Sequence, residues 1–237
     1  MWLREPRKLY FRYEIMKYKN IIKGKFLERP NRFIAHVEID GKEETVHVKN
    51  TGRCREILMP GVEVFLEKSD NPTRKTAYDL VTANKPGFGL INIDSQSPNK
   101  LAMEWLSERA FDYIKPEYTY GKSRIDFYME RGNSKFLMEV KGCTLEVNGM
   151  GYFPDAPTER GVKHLHELAA AAKEGYEAIL CFVIQMEGIC EVRVEENIHP
   201  EFAEALAEAE AAGVRVLFLM CEVKEQEVKV VKSNFEI

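Results

Sequence analysis

Two short strand-like runs carry the residues of this chain that are best suited to chemistry. They are SRIDF at residues 123–127 and LMEVKG at residues 137–142. Side chains alternate along a strand, so Glu139 and Lys141 share one face, roughly 7 Å apart. If Asp126 lies on the neighbouring strand, two carboxylates and an ammonium converge. Such a group would hold a hard divalent cation against a phosphodiester, while the lysine neutralises charge that develops at the phosphate.

The alternative is a structural salt bridge, because an acid followed two positions later by lysine is common in so charged a chain. Three other copies begin at Asp40, Glu222 and Glu227. The copy that begins at Glu139 differs because apolar residues flank it and predict a mostly buried strand. A charged pair on such a strand is costly unless it has partners. This context favours a metal or phosphate site over a simple ion pair.

The composition indicates a folded chain of one large or two modest domains, since 45% of its 237 residues are hydrophobic. The five cysteines are odd in number and show no C-x-x-C spacing. They argue against a disulfide framework or zinc site and favour a reducing compartment. No basic-then-apolar leader or membrane-length apolar run is evident, so we expect a cytoplasmic protein with no membrane partner.

The net charge of −4 is unevenly distributed. Residues 1–85 carry 18 Lys or Arg against 12 Asp or Glu, whereas residues 86–237 carry 16 against 26. Residues 4–32 include ten basic side chains interleaved with aromatics, a pattern that can grip a nucleic-acid backbone by charge and stacking. An equal alternative is a solvated face whose aromatic residues belong to the core. The candidate DNA contacts in this half are Lys19, Lys23, Lys25, Arg32 and Arg53.

The first 85 residues predict a small OB-type β-barrel, because about five short strands alternate with turns and the charge is basic. Alternating runs lie at residues 33–39, 45–48, 62–67 and 77–82, within a strand-rich region that begins near residue 10. The Pro86-Gly87-Phe88-Gly89 stretch predicts a linker or domain joint. We therefore expect domains at residues 1–85 and 86–237.

Beyond residue 86 the pattern changes to alternating helices and strands, which is typical of an α/β (α+β) domain. Ser97 and Pro98 predict a helix start with an N-cap. Further helices are predicted at residues 158–175 and 200–212. Strands are predicted near residues 123–129, 135–141, 144–152, 177–184, 214–221 and 227–234. On the helix at 158–175, helical spacing gives a polar face that contains Arg160, Lys163, His164 and Glu167.

Further motifs run over nearly the whole chain. They include Asn50-Thr51-Gly52, Asn99-Lys100-Leu101 with Glu104, and above all GYFPDAPTERGVKHL at residues 151–165. With the two strand-like runs, they resemble the sugar fermentation stimulation protein A family. The resemblance implies an OB-type barrel followed by a PD-(D/E)xK nuclease-like domain, whose mixed central sheet is flanked by helices. It also implies DNA binding, linked to the control of maltose metabolism.

The resemblance also implies roles for individual residues. Asp126 and Glu139 correspond to metal-binding carboxylates for Mg²⁺ or Mn²⁺, and Lys141 corresponds to a charge-stabilising lysine. Glu104 corresponds to an additional catalytic and metal-binding acid, with Glu108 as the alternative. Ile125 departs from the superfamily motif, which has proline before the aspartate, although many of these folds tolerate the change. Further DNA contacts are implied on the helix after the core strands, at Arg160, Lys163 and His164.

Two functions therefore compete. The first is a DNA-binding protein of this family, and the alternative is an Mg²⁺-dependent nuclease that uses the same residues. A metabolic enzyme or sugar sensor is not supported, since the sequence has no glycine-rich phosphate loop and no cofactor fingerprint. The sequence leaves open whether DNA is cleaved, whether it is single-stranded or duplex, and whether the protein is a homodimer.

Overall fold

The first sheet contains six strands and lies in the N-terminal part of residues 16–237, which the computed structural model describes. Its strands are β1 (Ile21–Glu28), β2 (Ile34–Ile39), β3 (Lys42–Val48), β4 (Glu63–Lys68), β5 (Tyr78–Lys85) and β6 (Gly89–Asn92). The order is β3-β2-β1-β4-β5-β6, and a parallel pairing of β3 with β5 closes the first five strands into a barrel. The predicted OB-type barrel is confirmed. Basic residues before Met16, and the start of the strand-rich region expected near residue 10, lie outside the described residues.

Local sequence explains the tightest turn of the barrel. Ala35, Val37 and Ile39 alternate inward along β2, and Asp40 and Gly41 turn the chain into β3 with φ values of 50° and 74°. Aspartate and glycine are among the residues that accept positive φ in a two-residue hairpin. The register of the hairpin therefore keeps the apolar face of β2 inside the barrel.

The boundary between the domains lies later than the sequence predicted. Residues 86–88 form the turn between β5 and β6, and Asn92 at the end of β6 still pairs with Thr82 in the barrel sheet. The Pro-Gly pair therefore marks a hairpin turn rather than a linker, because both residues favour turns wherever they connect two strands. The first domain extends through the end of β6.

The second sheet also contains six strands. They are β7 (Tyr113–Tyr120), β8 (Ser123–Arg131), β9 (Ser134–Cys143), β12 (Glu177–Ile184), β14 (Arg215–Val223) and β15 (Val228–Ser233), in the order β15-β14-β12-β9-β8-β7. The central strands β9, β12 and β14 are parallel, and the outer pairings are antiparallel. A small separate sheet contains β10 (Leu145–Val147), β11 (Met150–Phe153) and β13 (Val192–Val194).

Helices cover both faces of the second sheet, as predicted. The apolar side of α1 (Ser97–Ser107) packs on one face, where Trp105 joins Met138 and Val140 in one buried cluster. On the other face, α2 (Glu159–Lys173) and α3 (Pro200–Ala211) bury Leu165 and Phe202. This burial fixes the helices over the strands that carry Asp126 and Glu139.

The barrel packs directly against the second domain. Barrel side chains share one apolar cluster with Cys143 and Ile184 from the second sheet. A buried polar group lies beside them, in which Gln185 Nε2 donates to Asn92 Oδ1 over 2.9 Å and Ser97 Oγ donates to the same oxygen over 2.7 Å. Ser97 is therefore not the N-cap of α1 as predicted, because its hydroxyl is used in this junction. Gln96 is the N-cap residue.

Candidate functional site

The candidate site lies where two neighbouring strands separate. Strands β8 and β9 pair as far as Phe127 and Met138. Beyond that point β8 continues along β7, while β9 continues along β12. Asp126 on β8 and Glu139 on β9 are the first residues beyond this last pair. The separation opens a gap in the sheet beside them, and this gap gives room for side-chain chemistry at the strand edges.

Asp126 is held from two directions. The backbone N–H of Val140 donates to Asp126 Oδ2 over 2.8 Å, which satisfies a donor that strand separation has removed from the ladder. From the first turn of α1, Asn99 Nδ2 donates to Asp126 Oδ1 over 2.8 Å. The carboxylate therefore keeps a fixed orientation between a strand and a helix.

Glu139 is nearly inaccessible, with 2% of its surface exposed. Its Oε1 atom accepts a hydrogen bond from Lys141 Nζ over 2.7 Å and contacts Nδ1 of His164. Its other oxygen, Oε2, is buried and has no hydrogen-bond partner within residues 16–237. An unpartnered buried carboxylate oxygen is costly, and such atoms are rare in folded proteins.

The orientation of His164 follows from its second nitrogen. Arg160 Nε lies 3.4 Å from His164 Nε2 and can only donate a hydrogen bond. Since Nε2 must then accept, we assign the ring proton to Nδ1, where it points at Glu139. A chain of contacts thus runs from Arg160 at the protein surface through the buried imidazole to the buried carboxylate.

The two carboxyl groups have pKa values displaced in opposite directions. Burial, and then the nearby charge of Glu139, raises the pKa of Asp126 above its ordinary value. Burial also opposes ionisation of Glu139, but hydrogen bonds with His164 and Lys141 outweigh it and lower the pKa of that carboxyl. Two close carboxylates repel each other, so a cation between them would favour ionisation of both.

A groove of about 420 Å³ opens over these residues. Its floor includes Asp126, Glu139 and Lys141. The start of α1 and the residues just before it contribute Ser95, Gln96 and Asn99, and the start of α2 contributes Thr158, Arg160 and Gly161. Helix N-termini carry partial positive charge and favour anions nearby. The groove therefore combines two carboxylates on its floor with groups at its rim that suit a phosphate.

Glu104 does not belong to this group. Its carboxylate accepts a backbone hydrogen bond from Met16, and Glu108 and Glu227 are the nearest acidic charges. Neither Glu104 nor Glu108 lines the groove, and Asn99 is the residue of α1 that reaches Asp126. The arrangement does not support Glu104 as a metal ligand. Within the part of the chain that is described, no three His, Cys, Asp or Glu side chains converge in a metal-binding geometry.

The predicted DNA contacts on α2 separate into surface and buried residues. Arg160 is exposed and lines the groove, and Lys163, three residues further along α2, is also exposed. His164 is 4% exposed and lies beneath Arg160. Its prediction as a DNA contact requires correction, since its ring is enclosed by protein and faces Glu139.

The predicted DNA contacts in the barrel fall into two places. Arg32 and Arg53 are exposed beside the loop at residues 50–53, which approaches the second domain near Asp155. Lys19, Lys23 and Lys25 are exposed at or near β1 but do not line the groove.

The lysines of β1 lie among acidic side chains. Lys23 pairs with Glu225, and Lys25 lies opposite Glu38 and Glu63 on the neighbouring strands. Much of the positive charge that the sequence assigned to this face is therefore offset locally by carboxylates.

Sequence reasoning assigned no role to Asn99 or Ser95. Asn99 is separated from Asp126 by 27 positions, and no short-range spacing connects an amide on a helix with an acid on a distant strand. Its motif was visible only through the family resemblance, which did not specify what the amide does.

Comparison with known proteins agrees with this architecture. A family model described as the sugar fermentation stimulation protein RE domain matches residues 96–227, and one described as the SfsA N-terminal OB domain matches residues 27–93. The chain belongs to this family. A sugar fermentation stimulation protein homolog of Desulfitobacterium hafniense is 55% identical over 217 residues, which cover 90% of this chain and 95% of the relative. A homolog from Ruminiclostridium cellulolyticum is 51% identical over 222 residues, covering 92% and 98%.

A solved structure of the family has the same fold. It is described as the structure of Pyrococcus furiosus SfsA in complex with Ca²⁺ and is 27% identical, with a TM-score of 0.81. The match covers 93% of this chain and 97% of the archaeal one. Both family models and this structure confirm the predicted family and fold class. No helix within residues 16–237 is long and apolar enough to span a membrane.

Proposed function

We propose that this protein binds DNA in the groove above Asp126 and Glu139 and hydrolyses a phosphodiester bond there with the help of a divalent cation. The observation that carries the proposal is the buried, unpartnered Oε2 atom of Glu139 beside a second carboxylate. A protein that only bound phosphate would gain nothing from converging carboxylates, because they repel the ligand.

The donor set fits Mg²⁺ or Mn²⁺. Mg²⁺ keeps several waters and is commonly bound by one or two carboxylates together with substrate phosphates. Asp126 and Glu139 supply such a pair, so a third protein carboxylate is not required. Ca²⁺ in the description of the archaeal relative is consistent with an oxygen-ligand site in this family. When bound, the cation would polarise the phosphoryl group and lower the pKa of a coordinated water.

The remaining residues of the site would position the reactants. Asn99 fixes the Asp126 carboxylate, and His164 fixes Glu139 so that Oε2 stays free. Arg160 at the groove rim would contact a phosphate, with the two helix N-termini favouring the same charge. Lys141 would neutralise negative charge that develops on phosphate during the reaction, an effect that matters most in the transition state.

A cleavage assay tests the proposal. Wild type, Asp126→Asn and Lys141→Ala are incubated with linear, nicked and single-stranded DNA, with and without Mg²⁺ or Mn²⁺. We expect cleavage only with metal, no cleavage by Asp126→Asn, and a loss of roughly 100-fold or more for Lys141→Ala. Affinity measured in Ca²⁺ should change only a few fold for Lys141→Ala, since its effect lies in the transition state.

Lys135→Ala is the matched control, because Lys135 is an exposed lysine on the same strand β9. It should cleave like wild type. A wild-type protein that cuts none of these substrates under any metal condition contradicts the hydrolytic part of the proposal.

The second candidate function is metal-assisted DNA binding without cleavage. It is favoured by two observations: Glu104 does not line the groove, and the Lys141 ammonium forms an ion pair with Glu139. In that case Lys141→Ala weakens affinity in Ca²⁺ and no cleavage is found. The same assay therefore separates the two functions.

A further inference from the structure

A second, smaller cavity of about 100 Å³ adjoins the groove. Ser95 lines both spaces, and Gly142 in the second cavity follows directly after Lys141 in the first. One side of the cavity is the barrel loop that contains Asn50, and the other side comes from the second domain. The cavity is far smaller than drug-sized pockets of about 300–1,000 Å³, so it suits a single small ring.

Three polar side chains in this cavity have capacity for hydrogen bonding. Asn50 accepts from the Gly52 N–H over 2.7 Å through Oδ1, but its Nδ2 donates to no residue in the described part of the chain. The hydroxyl of Thr144, which is 7% exposed, likewise has no partner there. The Asp155 side chain accepts a hydrogen bond from its own backbone N–H, and burial raises the pKa of this carboxyl.

The barrel loop is fixed in place before any ligand arrives. The Arg29 guanidinium donates to the carbonyl oxygens of Asn50, Gly52 and Arg53 over 2.5, 2.9 and 3.0 Å. At Gly52, a Cβ atom would lie 1.8 Å from Asp155 Oδ2, so only glycine allows the carboxylate to approach the loop. Such preorganisation reduces the entropy that a ligand must lose on binding.

The chemistry of the cavity selects among ligand classes. Tyr152 and Phe153 supply aromatic surface, Asn50 supplies a donor and Asp155 supplies an acceptor. A phosphate is disfavoured because it would face the carboxylate. A metal ion is disfavoured because the positively charged Arg29 and Arg53 already lie near the Asp155 carboxylate and would repel the metal ion. An aromatic ring that carries both a donor and an acceptor matches the aromatic surface, the Asn50 donor and the Asp155 acceptor.

We propose that this cavity is a base-recognition pocket that accepts one unstacked nucleobase with an exocyclic amino group. The amino group would donate to Asp155, and a neighbouring ring acceptor would receive the Asn50 amide. Carboxylates accept from amino groups of bases in the same way in direct readout. The inference rests on the proposed function, since the base would belong to a nucleotide next to the phosphate above Asp126 and Glu139. Because a base can enter the cavity only when it is unpaired, the expected substrate is single-stranded or locally opened DNA.

Fluorescence anisotropy with short labelled oligonucleotides tests this pocket. Oligo-deoxycytidine has the amino group and oligo-deoxythymidine lacks it, and Ca²⁺ replaces Mg²⁺ to limit cleavage. We expect wild type to bind the cytidine oligomer about tenfold more tightly, within the range for one good base contact. Asp155→Asn and Asn50→Asp should each lower that ratio about fivefold or more, while thymidine binding persists through phosphate contacts.

The two variants are chosen to preserve the fold. Asn50→Asp keeps an oxygen for the Gly52 N–H and replaces only the Nδ2 donor that faces the cavity. Asp40→Asn is the matched control, because Asp40 is exposed in a barrel turn with φ of 50°, which asparagine also accepts. Thermal melting verifies folding, and if Asp155→Asn melts early, the Asn50→Asp ratio decides.

The outcomes separate this inference from the function on which it rests. If wild type binds both oligomers and neither folded variant changes the ratio, the pocket does not read a base while the DNA-binding proposal stands. If wild type binds neither oligomer nor any other DNA, both proposals are overturned. A lower ratio in both variants, with the control unchanged, supports base recognition.

Discussion

At the scale of single residues, Glu139 is a buried carboxylate held by two cationic or hydrogen-bonding partners, Lys141 and His164. It is almost fully buried, and its ionised form depends on His164 and Lys141. Removing one partner of a buried charged hydrogen bond leaves the other without full compensation. Loss of the His164 imidazole should therefore lower the stability of the folded protein, which can be measured without knowing any substrate.

We predict that His164→Ala lowers the free energy of unfolding by about 1–3 kcal/mol, the typical cost of leaving a buried polar group unsatisfied. Urea denaturation measures the change. His166→Ala is the matched control, since His166 lies on the same helix with an exposed side chain, and its effect should stay within about 0.5 kcal/mol.

A double-mutant cycle then isolates the pair. Glu139→Gln removes the charge that His164 supports, so His164→Ala should cost less in that background, with a coupling of about 0.5–3 kcal/mol. Equal costs in both backgrounds would show that the loss reflects only the cavity left by the ring.

The sequence anticipated part of this cluster. Alternation along β9 correctly placed Glu139 and Lys141 on one face, and Asp126 lies beside them on β8. The helical wheel placed His164 on a polar face with Arg160, and the two side chains are in contact, but the imidazole is buried rather than exposed. A wheel assumes one environment along the whole helix, whereas the first turns of α2 cover a polar groove and the later turns cover apolar sheet.

At the scale of elements, helix geometry explains why α1 contributes Asn99 and not Glu104. A residue five positions further along a helix lies about 7.5 Å further along the axis, and its side chain points about 140° away around the axis. A helix whose first turn contacts Asp126 therefore presents Glu104 elsewhere. The structure places that side chain near Met16 and Glu227, where Lys17 forms an ion pair with Glu227.

This location predicts a pH-dependent contribution to stability. Burial, followed by Glu108 and Glu227, raises the pKa of Glu104 from 4.5 to about 7. Since the folded state holds the proton more tightly, the associated stability is fully present below pH 4.5 and is lost as the pH rises through about 7. Ionised Glu104 thus destabilises the protein at alkaline pH.

Glu104→Gln should raise the melting temperature relative to wild type at pH 8, because it keeps an acceptor for the Met16 N–H and removes the charge. Below pH 4.5 the two melting temperatures should converge. Glu204→Gln, which removes an exposed carboxylate on α3, is the control for the loss of one negative charge. A constant difference between Glu104→Gln and wild type at every pH would contradict the assignment to Glu104 ionisation.

Elements with strong local signals were predictable, and elements that depend on tertiary pairing were not. The Asp40-Gly41 hairpin and the parallel strand β12 were predicted at nearly their observed positions. Strand β7 was missed because Pro116 and several exposed polar residues interrupt its pattern. An edge strand tolerates proline since one side of its backbone needs no ladder partner.

At the scale of the whole molecule, the barrel and the second domain act as one support for the groove. Their shared apolar cluster and the buried contacts of Asn92 and Gln185 hold the loop at residues 50–53 beside the start of α1. Neither domain alone contains all the walls of the second cavity. The charge asymmetry of the sequence did not reveal this, because it counts charges along the chain rather than around the groove.

Two basic surfaces remain as candidates for the DNA backbone. Arg53 and Arg160 flank the groove and the adjoining loop, and both are exposed. On the barrel face, Lys23 pairs with Glu225, and Lys25 has Glu63 opposite it. Carboxylates near a phosphate reduce the benefit of each lysine, so we expect the groove surface to dominate binding.

The double variant Arg53→Ala/Arg160→Ala should weaken binding of single-stranded DNA in Ca²⁺. It should also lower the slope of log affinity against log salt by about 1.4, since each of two lost phosphate contacts contributes about 0.7 on a single strand. Lys23→Ala/Lys25→Ala is the matched control, with the same loss of two charges, and should leave the slope nearly unchanged. Anisotropy titrations across a range of KCl concentrations measure both. The reverse result would place the DNA backbone on the outer face of β1. It would contradict the expectation that the groove surface dominates binding.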